Sequence, residues 1–184
     1  MTIAFLDVDY RDIGARAACV VVDGWTAGVA AAVYVQDIAT VAAYEPGQFY
    51  LREMPCLMAV LAMLPAPADV LVVDGYVWLA SLEREGLGAH LFSAMGGVTP
   101  VVGIAKTAFH GVDTSAVVAP VLRGSSKNAL YVTAVGMPLD EAADHVRGMC
   151  GPHRIPDILR LTDQLARGKG LAASALVDGG STVS

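Results

Sequence analysis

The six residues Asp69-Val-Leu-Val-Val-Asp74 constrain the fold of this chain most. Four consecutive apolar residues, with none of the alternation of a strand wetted on one face, predict a central strand covered on both sides, and the acid and Gly75 that follow should end it. Val101-Val-Gly-Ile-Ala105 repeats the pattern and ends at Lys106. Two such strands predict an α/β sheet layered between helices, and their charged ends mark the edge where ligands of open α/β sheets gather.

The remaining elements build around that pair. Residues 3–10, 17–23 and 29–36 are short runs rich in β-branched or aromatic residues and separated by turn residues such as Asp23-Gly24, which predicts an antiparallel meander. Tyr44-Glu45-Pro46-Gly47 has the chemistry of a surface turn. A helix is expected from about 54 to 64 with Pro55 in its first turn, where a missing N–H does no harm. A strand over 129–134 follows, then a helix over 139–149 with Asp140 and Glu141 favouring its N-terminal dipole. Ile155-Pro156-Asp157 should open a last amphipathic helix to about Arg167. One domain is expected over residues 1–168, with 169–184 a flexible tail that lacks apolar periodicity.

Composition narrows the function. With 55% hydrophobic and 16% charged residues the chain is not disordered, yet its longest apolar stretch, 54–68, is interrupted by three prolines and is too short to span a bilayer. No secretory leader opens it, so a cytoplasmic location and no membrane partner are expected. Three dispersed cysteines suit neither a disulfide framework nor a zinc site. A net charge of −6 argues against indiscriminate binding to nucleic acid, while the cations from Arg123 to Lys169 leave room for a local phosphate-contacting face.

Asp7 stands among Phe5, Leu6 and Val8, where an ionised carboxylate is costly unless paired or bound to a metal. Alone, Asp7 or Asp9 would be read as capping a strand or pairing with an arginine. With Asp74 in a like setting, two carboxylates would repel unless a cation lay between them. Glu53, near a helix start, could add a third oxygen or be a mere helix-terminal charge; Asp163, on the last helix, could equally be a solvated surface acid. Oxygen-only ligation suits Mg²⁺ or Mn²⁺, which polarise phosphoryl groups and activate water.

LDVDY at 6–10, YEPGQFYLRE at 44–53, VVDG at 72–75, GLG at 86–88, PVVGIAKT at 100–107 and RIPDILRLTDQL at 154–165 together resemble endonuclease V, the inosine-directed repair nuclease family, in order and approximate spacing along most of the chain. The resemblance implies a ribonuclease-H-like mixed sheet with an antiparallel N-terminal meander and helices on both faces. It implies Mg²⁺-dependent hydrolysis, with Mn²⁺ able to substitute, of a phosphodiester near deoxyinosine or inosine in DNA or RNA. Asp7 and Asp74 would ligate the metal and Glu53 complete the set. Asp163 falls where relatives carry an Asp or His near the metal, and Lys106 matches a lysine that could neutralise phosphate charge. Tyr44, Pro46 and Gly47 would form a strand-separating wedge, and Gly75, Gly86 and Gly88 a base pocket. No obligate protein partner is evident.

Two departures bear on substrate choice. The His-Pro-Arg segment usual after the strand aspartate is replaced by YVWLASLEREGLGAH, and an SPGH-like segment by Thr133-Ala134-Val135-Gly136-Met137. A divergent nucleic-acid-binding protein with weak cleavage is therefore the alternative. A nucleotide-binding α/β domain ranks last, because no P-loop or GxGxxG turn is present.

Overall fold

The computed structural model describes residues 1–41, 50–79, 84–109 and 116–169. Its centre is a seven-stranded sheet in the order β3-β2-β1-β4-β5-β7-β6. Strands β1 (Ile3–Tyr10), β2 (Ala15–Val22) and β3 (Ala32–Ile38) form the antiparallel meander. β4 (Val70–Val73) and β5 (Val101–Ala105) run parallel to β1, and β7 (Leu130–Val135) and β6 (Ala119–Val121) close the other side antiparallel.

The period of two along each strand explains the unbroken apolar runs. Ile3 and Phe5 of β1, Val70 and Val72 of β4, and Val102 and Ile104 of β5 face helices α3 (Leu139–Gly148) and α4 (Asp157–Ala166), packing with Val146, Ile158 and Leu165. Their neighbours Ala4, Leu6, Leu71, Val73 and Val101 face the other way, onto Cys56, Leu57 and Val60 of α1 (Tyr50–Leu61) and Leu91 of α2 (Leu87–Ala94). Both faces are dry, so no position on the central strands can be polar without a partner.

Several expectations shift. β3 lies at 32–38 rather than 29–36, and α1 starts at Tyr50, so Pro55 sits inside the helix on its exposed side instead of in the first turn. Two elements were not foreseen. α2 is a short helix without a side-chain cap, held by burial of Gly88, Ala89 and Leu91, and β6 contains Pro120, which only an edge strand tolerates. Tyr44, Pro46 and Gly47, the expected wedge, and the tail from 170 onward lie outside the described residues. The three cysteines are free thiols. Among the described residues no helix is long and apolar enough to cross a membrane.

Candidate active site

The strand period that builds the core also delivers the charges. Asp7 continues the row Ile3–Phe5, Asp74 the row Val70–Val72, and Lys106 the row Val102–Ile104, so all three continue the α4-facing rows where the apolar cover ends. Leu6 pairs with Val73 in the parallel register, which brings Asp7 and Asp74 side by side at the next position. α4 supplies the third acid. With Ile158, Thr162 and Leu165 buried toward the sheet, Asp163 emerges at the rim, and oxygens of Asp7, Asp74 and Asp163 lie within 4.8 Å of one another.

Three carboxylates this close repel. Burial, and then the charge of Asp74, push Asp7 up to about 6. Glu53, buried on α1, is pushed up to about 8 by burial and by the charges of Asp7 and Asp74. Glu53 therefore reaches the same electrostatic neighbourhood from the opposite face of the sheet, although it is not one of the three closest acids. Lys106 offsets part of the repulsion, with Nζ 2.5 Å from Asp74 Oδ2 and 3.9 Å from Asp163 Oδ1. Burial works against its ammonium, but the bond to Asp74 and the surrounding carboxylates outweigh it and hold Lys106 above the usual lysine range. Arg167 donates to Asp163 at 3.0 Å.

Asp7, Asp74 and Asp163 are the residues that could hold a divalent cation. Their all-oxygen donor set suits a hard ion, and carboxylates crowded this closely in a partly buried setting are stabilised by a cation among them.

Beside the carboxylates opens a cleft of about 280 Å³, lined among others by Tyr50, Glu53, Asp74, Gly75, Tyr76 and Phe109. Gly75 has φ +151°, a conformation that side-chain-bearing residues rarely adopt, and it turns the chain away from Asp74 into the cleft wall. Gly86 lines the cleft, and a Cβ there would lie 2.5 Å from the Tyr76 carbonyl oxygen, so only glycine allows the close approach that seats the start of α2. Gly88 lies behind the wall, against Val77. Within the segment that replaces the expected His-Pro-Arg, Trp78 and Glu85 form an antiparallel bridge. It is anchored by the Trp78 indole N–H to the Ala134 carbonyl at 2.9 Å and by the Val77 N–H to Thr133 Oγ1 at 2.8 Å.

Two arginines absent from the expected site organise it. The Arg154 guanidinium donates to the carbonyl of Lys106 and, at 2.8 Å, to that of Ala129, tying the lysine's backbone to β7. Arg123, only 6% exposed, donates to the carbonyls of Arg147, Met149, Gly151, His153 and Arg154, and so shapes the loop that carries Arg154 and leads into α4. Their sequence signal is slight: arginines in loops resemble any surface cation until the carbonyls they gather are seen.

A meander paired to two parallel strands, with acids from a strand pair and a covering helix meeting beside a lysine, is a ribonuclease-H-like mixed sheet carrying an acidic cluster. The chain belongs to the endonuclease V family, whose model matches residues 1–164. It is 34% identical to endonuclease V of Streptomyces coelicolor over 176 residues, covering 86% of this chain and 73% of that protein. It is 31% identical to endonuclease V of Azotobacter vinelandii over 183 residues, covering 89% and 81%. The crystal structure of endonuclease V from Streptomyces avermitilis superposes with a TM-score of 0.71 at 28% identity, covering 91% of this chain and 80% of that one. The fold is shared as well with Ciona intestinalis endonuclease V in complex with DNA containing an inosine, at a TM-score of 0.75 and 18% identity over 91% and 84% of the two chains.

Proposed function

We propose that this protein is a divalent-metal-dependent endonuclease that hydrolyses a phosphodiester bond near deoxyinosine or inosine in nucleic acid, acting in DNA repair. The observation that carries the reading is the convergence of Asp7, Asp74 and Asp163 within 4.8 Å, with Lys106 on Asp74. Family membership and the inosine-containing DNA bound by the Ciona relative supply the substrate class.

Asp7, Asp74 and Asp163 would hold Mg²⁺ or Mn²⁺, with Glu53 adding a carboxylate at the margin. When bound, such an ion polarises the phosphoryl oxygens and lowers the pKa of a coordinated water. Lys106, beside Asp74, would meet the negative charge that builds on the phosphate in the transition state. The aromatic lining of the cleft, Tyr50, Tyr76 and Phe109, suits a base drawn out of the stack, with Gly75 and Gly86 letting it approach the backbone. Water excluded by that base strengthens each charge contact beside it.

The test is incubation of the purified chain with single- and double-stranded oligonucleotides carrying one inosine, alongside unmodified controls, with Mg²⁺ or EDTA. Nicking near inosine that leaves 3′-hydroxyl and 5′-phosphate ends, requires Mg²⁺ and vanishes in Asp74→Ala is expected. Intact substrates that nevertheless bind would favour the second reading, a nucleic-acid-binding relative with weak cleavage, which the altered segment after Asp74 favours.

A further inference from the structure

The C-terminal end of α4 carries a cationic cluster that the chemistry above leaves unused. The helix closes on Gly168, at φ +71°, whose N–H bonds the Leu165 carbonyl at 3.0 Å while the Lys169 N–H bonds that of Gln164 at 2.7 Å. Two guanidinium groups converge on this turn from the β1–β2 side: a Cβ on Gly168 would lie 3.1 Å from Arg16 Nη1 and 3.2 Å from Arg11 Nη2. Exposed Lys169 flanks the same glycine, as does Arg167, whose guanidinium is already paired with Asp163.

Cations near a helix C-terminus complement its dipole, and that alone could gather them. The hydrogen bonds argue for more. Two carbonyls of the last turn are already taken by backbone N–H groups, and neither Arg11 nor Arg16 donates to a carbonyl of α4 among the described residues. Asp37 occupies Nε and Nη2 of Arg16, each at 2.7 Å, which leaves Nη1 directed at the turn. Asp9, opposite Arg16 in the sheet register, makes no ion pair with it among the described residues, and the exposed Arg11 side chain has neither hydrogen bond nor ion pair there. The Asp37 carboxylate sits in the field of both guanidinium groups and offsets one of the two charges, so the surplus on this turn is the second arginine together with Lys169. In a chain of net charge −6 such a local excess stands out.

The position selects the anion. Gly168 follows Asp163 by five residues of α4, about 7–8 Å along the helix axis, which corresponds to about two nucleotide steps at ~3.4 Å per step along one strand. We propose that Arg11 and Arg16, with Lys169 beside them, clamp a backbone phosphate of the nucleic-acid strand being cut, about two nucleotides from the scissile bond. This rests on the endonuclease reading and adds to it the surface along which the strand runs.

The experiment is fluorescence anisotropy in EDTA of wild type, Arg11→Gln and Arg11→Lys with an inosine-containing and an unmodified oligonucleotide over a range of KCl concentrations. Arg11→Gln should lower the slope of log affinity against log salt by about 0.7–0.9, one phosphate contact. It should weaken both oligonucleotides equally and keep the wild-type melting temperature, and Arg11→Lys should restore most of the slope. An unchanged slope in Arg11→Gln, with wild type binding normally, overturns the clamp and leaves the endonuclease reading standing. A wild type that binds neither oligonucleotide overturns both.

Discussion

Replacing Lys106 by Met should tighten metal binding while destroying cleavage. The ammonium lies 2.5 Å from Asp74 and 3.9 Å from Asp163, two of the three acids that would hold the ion, so it stands in for a cation and must withdraw before one binds. An ammonium and a divalent ion about 5 Å apart repel by roughly 7 kcal/mol at an effective dielectric constant of ~20. The lysine side chain is 39% exposed and flexible, so most of that is relieved by movement and screening. If a fifth survives, about 1.4 kcal/mol, affinity rises about tenfold in Lys106→Met. Methionine keeps the length and apolar stem, which limits repacking. Calorimetric titration of Mn²⁺ into chelator-treated protein, without nucleic acid, measures the effect directly. Nicking should fall by about 10²–10³-fold, the usual cost of one charge-stabilising donor. An affinity that is unchanged or weaker in Lys106→Met would refute the argument, because the lysine would then not compete for the carboxylates.

The pH dependence of the metal-free protein follows from the same crowding. Asp7 and Glu53 are raised to about 6 and about 8, so the folded chain favours their protonated forms. Their contribution to stability is fully present below about pH 4, the ordinary carboxylate range, and is lost as pH rises through about 6 and then about 8. Melting curves in EDTA should therefore shift to lower temperature across that interval, with Mg²⁺ giving a larger stabilisation at its upper end; a flat profile for the metal-free chain would count against the crowding. Arg123→Met should cost about 3 kcal/mol by leaving buried carbonyls without a donor. For a chain of 184 residues that lowers the melting temperature by about 6–12 °C; a drop under 2 °C by calorimetry (~0.5 kcal/mol) would mean water replaces the guanidinium.

Much of the scaffold was legible in the chain because strand periodicity is local. The DVLVVD and VVGIA runs announced β4 and β5, and the meander, α3 and α4 fell close to their expected places. α2 and β6 escaped notice because neither has a strong intrinsic preference: one is eight residues held by packing, the other three residues around Pro120 at the sheet edge. The altered segment after Asp74 gave no hint that Trp78 and Glu85 would pair, since an isolated bridge depends on anchors in β7.

The sequence by itself determined that Asp7, Asp74 and Lys106 end apolar rows, since a period of two and a dry core leave a charge nowhere to go but past the last buried residue of its row. Only the tertiary structure decided which further acid joins them. Asp163 enters the close set because α4 packs across β1 and β2 with its rim at the strand ends, while Glu53 approaches from the other face. That choice depends on how two helices distant in sequence seat on one sheet, and local pattern carries no record of it.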